Sequence, residues 1–252
     1  IFLSYEIPMS ILLFFIAEDD SAPVRQKYLL WQDALMKHFM SGISEKNTRM
    51  LSNDQRFKPT QLWAVCHSEY WPGIQCDGEH VIEIDYTQVT FGNFNIDALP
   101  LTVQKLTLFK CGQTSAINTR GWPRNLVKVD LSNNRIHGRP DLTTLPEKLQ
   151  EVSFYRNRLH GPIVLSNLPP PLERMYLQEN RFHQDTVYYQ NLPKALKKIH
   201  FQYYDYKKKP FREVCAVNGS PKVEDREIFV GVDWVDGVFY EREQKGKGDV
   251  TL

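Results

Sequence analysis

Large apolar residues recur along this chain in a fixed eleven-place frame. In LVKVDLSNNRI (Leu126 to Ile136), LQEVSFYRNRL (Leu149 to Leu159) and LERMYLQENRF (Leu172 to Phe182) they fill places one, four, six and eleven, with Asn at place nine. VQKLTLFKCGQ from Val103 fits with Cys111 at the Asn place, LKKIHFQYYDY from Leu196 fits with Tyr204 there, and VIEIDYTQV from Val81 is a weaker first copy. The copies start at 81, 103, 126, 149, 172 and 196, so the steps are 22, 23, 23, 23 and 24 residues. Places four and six flank one polar residue, which is the alternation of a short strand buried on one face. A second marker keeps the same phase: Pro100, Pro123, Pro146, Pro169 and Pro193 each stand three residues before a copy begins. The prolines predict extended return segments with no ladder donor to satisfy, and they argue against helix there.

This pattern resembles the leucine-rich repeat family, whose repeat has Asn or Cys at the ninth place. The resemblance implies an α/β repeat fold: a right-handed leucine-rich-repeat solenoid, short parallel strands on the concave face and irregular or extended convex arms. Successive strands stack about 4.8 Å apart, and no repeat hides its apolar face alone, so the stack folds as a unit. Asn134, Asn157 and Asn180 stand where the chain turns inward, and their amides are suited to backbone groups of adjacent loops. Cys111 substitutes as a small residue with a weak thiol donor.

A solenoid needs polar caps at both ends. CHSEYWPGIQC joins Cys66 and Cys76 around Trp71 and Gly73, and it resembles the N-terminal cap of plant-type extracellular leucine-rich repeats, preceded by the helical spacing of Arg25 to Phe39. That resemblance implies a Cys66–Cys76 disulfide and an oxidising compartment. Residues 1–17 are apolar except around Glu6 and Pro8, and the uninterrupted run Ile11 to Ala17 is too short for a spanning helix of about 20 residues. Two readings stay open there: a secretory signal or membrane anchor, or a buried segment. Near the other end, apolar and polar residues alternate around Asp236-Gly237, a hairpin signal. The resulting division is 1–20 apolar segment, 21–80 helical cap, 81–206 about six repeats, and 207–252 a C-terminal β cap with a charged tail.

His137, His160 and His183 share one repeat phase, and Arg135, Arg158 and Arg181 form a second column two residues earlier. The phase places neighbouring imidazoles about 5 Å apart. A metal strip or a pH switch is one reading of them; tolerant turn positions kept from a common ancestor is the other. No Cys or acidic residue shares the phase, so no metal site is expected. The arginines make a basic edge stripe suited to an acidic partner, unless Glu147, Glu151 and Glu179 neutralise it.

Residues facing away from the core along the strands define the expected binding surface. Phe109, Asp130, Tyr155, Arg156, Arg174, Tyr176 and Tyr203 are its candidate partner-binding residues, since Tyr and Arg are enriched at interface hot spots. The chain has 31 basic and 30 acidic residues, a net charge of +1; no global field points to nucleic acid. Mixed charge favours a protein partner. No motif for a catalytic serine, a phosphate loop, a zinc helix or a dinucleotide turn occurs, so the expectation is no enzyme and no cofactor. Asn218-Gly219-Ser220 is a glycosylation sequon only in a secretory compartment. The expected function is non-enzymatic protein binding, secreted or membrane-attached. The alternative is a structural accessory subunit of a larger membrane or organellar complex, with membrane contact through residues 1–17.

Overall fold

The computed structural model describes residues 24–52, 66, 71–202 and 210–239. Expectations that fall on residues 1–23, including the apolar segment, on Tyr203 or on the tail beyond 239 lie outside the described residues.

The copies of the repeat are successive turns of one solenoid. Strands Lys105–Phe109, Lys128–Asp130, Glu151–Ser153, Arg174–Tyr176 and Lys198–His200 run parallel in one main sheet, next to His80–Thr87. The register follows the repeat: Lys128 is level with Glu151, Glu151 with Arg174, and Arg174 with Lys198. Places four and six point inward. Leu106, Val129, Val152, Met175 and Ile199 form one buried row, and Leu108, Leu131, Phe154, Leu177 and Phe201 the next, each at most 1% exposed. Burying a side chain of this size is worth about 1.5–3 kcal/mol relative to leaving it in water, and each row is covered only because its neighbours are present.

The first five repeats leave the main sheet through a left-handed residue. Gln88, Lys110, Asn133, Arg156 and Glu179 have φ between 54° and 60°, and each stands one place before the ninth. The asparagines then close the corner. Asn157 Oδ1 accepts from Ile136 N (3.0 Å), and its Nδ2 donates to Leu131 O (2.8 Å) and Phe154 O (3.2 Å). Asn134 and Asn180 repeat this pattern. At the Cys111 place the thiol donates to Tyr86 O at 3.1 Å.

The prolines act differently from the expectation of extended return segments. The carbonyls of Pro100, Pro123, Pro146, Pro169 and Pro193 accept from the backbone N–H of Val103, Leu126, Leu149, Leu172 and Leu196 at 3.0–3.2 Å. Each therefore opens a tight turn into the next strand, a position that a residue without its own N–H tolerates. Ahead of three of them, single 3-10 turns occupy the return arms at Ile96–Ala98, Thr119–Gly121 and Leu142–Thr144. From Val164 onward the arms pair instead as a second sheet, Val164–Leu165, Thr186–Tyr189, Glu213–Ala216 and Trp234–Val235, all parallel.

Both ends are covered. At the front, Ile74–Asp77 lies antiparallel to His80–Thr87, and Cys66 is bonded to Cys76 with Cα atoms 5.6 Å apart. Helix α1 (Val24–Phe39) packs its face of Leu35, Met36 and Phe39 on the first turn, and helix α2 (Glu45–Leu51) follows it. Gln32 in α1 bridges the front hairpin: its Oε1 accepts from Val81 N at 2.9 Å and its Nε2 donates to Glu79 O at 2.8 Å. At the rear, Phe229–Val230 adds a further parallel strand beside Lys198–His200, and Trp234–Val235 turns back on Val238–Phe239 through Asp236-Gly237, both left-handed. Tyr189 holds this hairpin, donating to Asp236 Oδ2 at 2.6 Å and accepting from Val223 N at 2.9 Å. Burial and that carboxylate both raise the phenol's pKa.

Replacing Asn157 with Ala removes one acceptor and two donors from a dry corner, and strands the backbone groups they served. A loss of roughly 2–4 kcal/mol is expected from groups left without partners, read as a lower denaturation midpoint; an unchanged midpoint rules out the amide as the joint between repeats.

Candidate functional site

Three solvent-facing rows cross the main sheet. The first contains Glu83, Lys105, Lys128, Glu151, Arg174 and Lys198, and much of its charge is paired. Lys105 Nζ lies 2.9 Å from Glu83, while Glu151 takes Lys128 at 3.1 Å and Arg174 at 3.3 Å. Arg174 also meets Glu173 at 3.6 Å, and Lys197 meets Glu173 at 2.8 Å, which holds that carboxyl below its usual range.

The second row levels Asp85, Thr107, Asp130, Ser153, Tyr176 and His200 by ladder register. The third continues one step along each strand with Thr87, Phe109, Ser132, Tyr155, Gln178 and Gln202. Near the centre the two rows change character. Ser132 and Ser153 share a hydrogen bond between hydroxyls at 2.6 Å, and they are only 4% and 9% exposed. Half-buried Phe109, Asp130, Tyr155 and Tyr176 surround this hydroxyl pair. Asp130 Oδ1 accepts from Ser132 N at 2.9 Å, and the Tyr176 and His200 rings meet edge-on at 6.3 Å. Beside Tyr155, Gln178 Oε1 is buried and accepts no hydrogen bond among the described residues.

The structure therefore brings Phe109, Asp130, Tyr155 and Tyr176 together around a hydroxyl floor. It leaves Arg174 in the paired charge row and Arg156 at the rim, exposed and left-handed with φ 54°. Ser132, Ser153 and Gln178 were not among the candidates. Their only mark in the sequence is small or amide side chains at outward places flanked by aromatics.

The edge beyond the ninth place has its own register. His137 is level with Arg158, and His160 with Arg181, a spacing of 21 residues rather than 23. The expected stacking of imidazole on imidazole is thus corrected: His137 and His160 each lie level with a guanidinium of the next turn. The asparagine amides set this offset, since Asn157 Oδ1 takes Ile136 N and Asn180 Oδ1 takes Leu159 N, each 21 residues back. Arg135, Arg158, Arg181 and the three histidines are all exposed. Among the described residues no three His, Cys, Asp or Glu side chains converge to hold a metal ion.

Two other features lie away from this surface. Cys111 and Cys215 are not disulfide-bonded, and burial pushes the thiol of Cys215 up to about 11. A small cavity in the return arms, lined by Asn95, Asp97, Asn118 and Trp122, holds one carboxylate, Asp97, whose pKa burial raises.

No known protein family matches the chain, and no curated protein matches it. Among solved structures, the crystal structure of a pollen receptor kinase 3 is similar: 18% identity and a TM-score of 0.53, covering 86% of this chain and 100% of that chain. At that identity the likeness shows the fold alone, a solenoid of about six turns with parallel strands.

Half-exposed ion pairs in the first row are expected to contribute little, because water screens them. Glu151→Ala should lower stability by less than about 1 kcal/mol at physiological salt; a larger loss in a denaturant titration overturns the assignment of this row to solubility.

Proposed function

We propose that the chain is a non-enzymatic leucine-rich-repeat module that binds a protein partner on the outward face of its main sheet. We read that face as the concave side of a right-handed solenoid, framed by the helical cap at 21–80, the repeats at 81–206 and the β segment at 207–252. The observation that carries this reading is the central cluster: Phe109, Asp130, Tyr155 and Tyr176 around the buried Ser132–Ser153 pair. Solubility alone does not call for three aromatic rings facing outward at the middle of a sheet whose first row is charged. Gln178 Oε1 adds a buried acceptor without a hydrogen bond among the described residues, and a group of that kind gains when a donor reaches it.

The Cys66–Cys76 bond supports a secretory compartment, where such bonds persist. The fold neighbour, named as a receptor kinase, supports a recognition role. No helix among the described residues is long and apolar enough to cross a membrane.

Two measurements test this reading. A photo-crosslinking residue at Tyr155 should capture a partner from the native source, and the same residue at exposed Tyr188 on the second sheet should not. Alanine at Tyr155 and at Tyr176 should then weaken binding of that partner by about 1–2 kcal/mol each, and unchanged affinity moves the site off this face. Separately, mass spectrometry of unreduced native protein should find Cys66 and Cys76 linked. Two alkylatable thiols there would remove the argument for secretion.

A further inference from the structure

The edge that carries the repeated arginines differs electrostatically from the main-sheet face. Arg135, Arg139, Arg156, Arg158 and Arg181 are all exposed, and none of the five forms an ion pair among the described residues. Glu151, which the sequence offers as a neutralising neighbour, is engaged by Lys128 and Arg174 on the other surface. In a chain of net charge +1 this is a local concentration of cations without an ion-pair partner among the described residues. We propose that this edge docks a linear anionic polysaccharide, one bearing sulfate or carboxylate groups along its length.

Geometry supports a linear ligand. The ladder sets His137 beside Arg158 and His160 beside Arg181, so cationic or protonatable groups follow the stack at the strand spacing of about 4.8 Å. Arg139 is laid along the same line. Its Cγ and Cδ come within 3.3 Å of where a Cβ on Gly161 would stand, and Gly161 has a φ of 83°. A side chain at 161 would displace the arginine stem. Guanidinium groups match sulfate and carboxylate in a two-pronged geometry that ammonium groups do not offer.

Other partners fit less well. The backbone groups of His137–Gly138 and Arg158–Leu159 already serve their own ladder, so a peptide finds no strand edge to extend. None of the large exposed apolar residues, such as Leu101, Val164 or Tyr188, belongs to the stripe, so it has nothing to insert into a lipid surface. Between the arginines stand histidines and glycines in place of the aromatic platforms on which unpaired bases stack. For its compartment the proposal rests on the secreted reading above, since polysaccharides of this class are met outside the cell.

The test is a titration of the oxidised full chain with heparin at physiological ionic strength. Desulfated heparin, a short DNA duplex and phosphatidylcholine vesicles containing phosphatidylserine are run in parallel. Heparin should bind, and desulfated heparin should bind far more weakly. The triple variant Arg135→Ala, Arg158→Ala, Arg181→Ala should lose at least about tenfold in affinity and show a shallower salt dependence, because fewer counterions are released. A charge-matched control, Arg124→Ala, Lys148→Ala, Lys194→Ala, removes three cations at the other end of the strands and should change affinity less than about twofold if the stripe is the site. Equal losses in the two variants, with native circular dichroism in both, overturn the proposal. So does DNA or vesicle binding as tight as heparin binding. A chain that keeps its Cys66–Cys76 bond but ignores heparin sinks this inference alone. A chain isolated with free thiols that still binds heparin sinks the compartment alone.

Discussion

The molecule depends on a side-chain amide in a place that water does not reach. Where the chain leaves the main sheet, backbone N–H and C=O groups point inward with no strand to pair them, and each left alone costs about 1–3 kcal/mol. An asparagine offers both an acceptor and two donors at short reach. Asn134, Asn157 and Asn180, each less than 9% exposed, use them on the turn before their own. An apolar residue of that size would fill the space and leave the groups orphaned; a carboxylate would accept and could not donate. The Cys111 turn shows how the joint is kept when the amide is missing. Its thiol reaches Tyr86 O, Asn134 Oδ1 takes the Cys111 and Gln113 N–H groups, and the buried Gln113 amide serves Phe94 N and Gly92 O.

The same joint explains what was legible in the sequence and what was not. Inward rows were readable because two periods coincide, two residues within a strand and about 23 between strands, and both place Val129, Val152 and Met175 in one line. The edge was not, because its register is displaced to 21 by the asparagine acceptors, and a repeat aligned by its letters carries no sign of that shift. The strand Phe229–Val230 was equally hidden. It stands 30 residues after its partner Ile199, outside any repeat step. The hairpin at Asp236-Gly237 was visible because its turn chemistry is local, yet nothing local shows that Tyr189, 47 residues away, binds Asp236.

Charge is distributed by the same division between sheet and edge. On the sheet, strands about 4.8 Å apart bring unlike charges of neighbouring turns within reach, and Glu83, Glu151 and Glu173 each take at least one cation. These pairs are half-exposed, so they hold the surface neutral more than they hold the fold together. At the edge the offset register sets imidazole against guanidinium. The paired sheet face and the arginine-bearing edge therefore differ in how their charge is met.

Inward positions of a repeat are constrained from both sides, since a Leu at place six must fit its copies above and below. Outward positions carry no such restraint, and a surface shaped only by solubility would fill them with long charged side chains, as the first row does. Ser132 and Ser153 depart from that pattern. Small hydroxyl residues at two adjoining outward places lower the floor of the sheet, and Phe109, Tyr155 and Tyr176 stand around the depression. Three half-buried rings beside two short hydroxyl side chains leave apolar surface in water, and covering that surface is favourable. The fold accounts for why this surface is rigid. The departure from repeat monotony at those five positions is what the proposed partner site rests on.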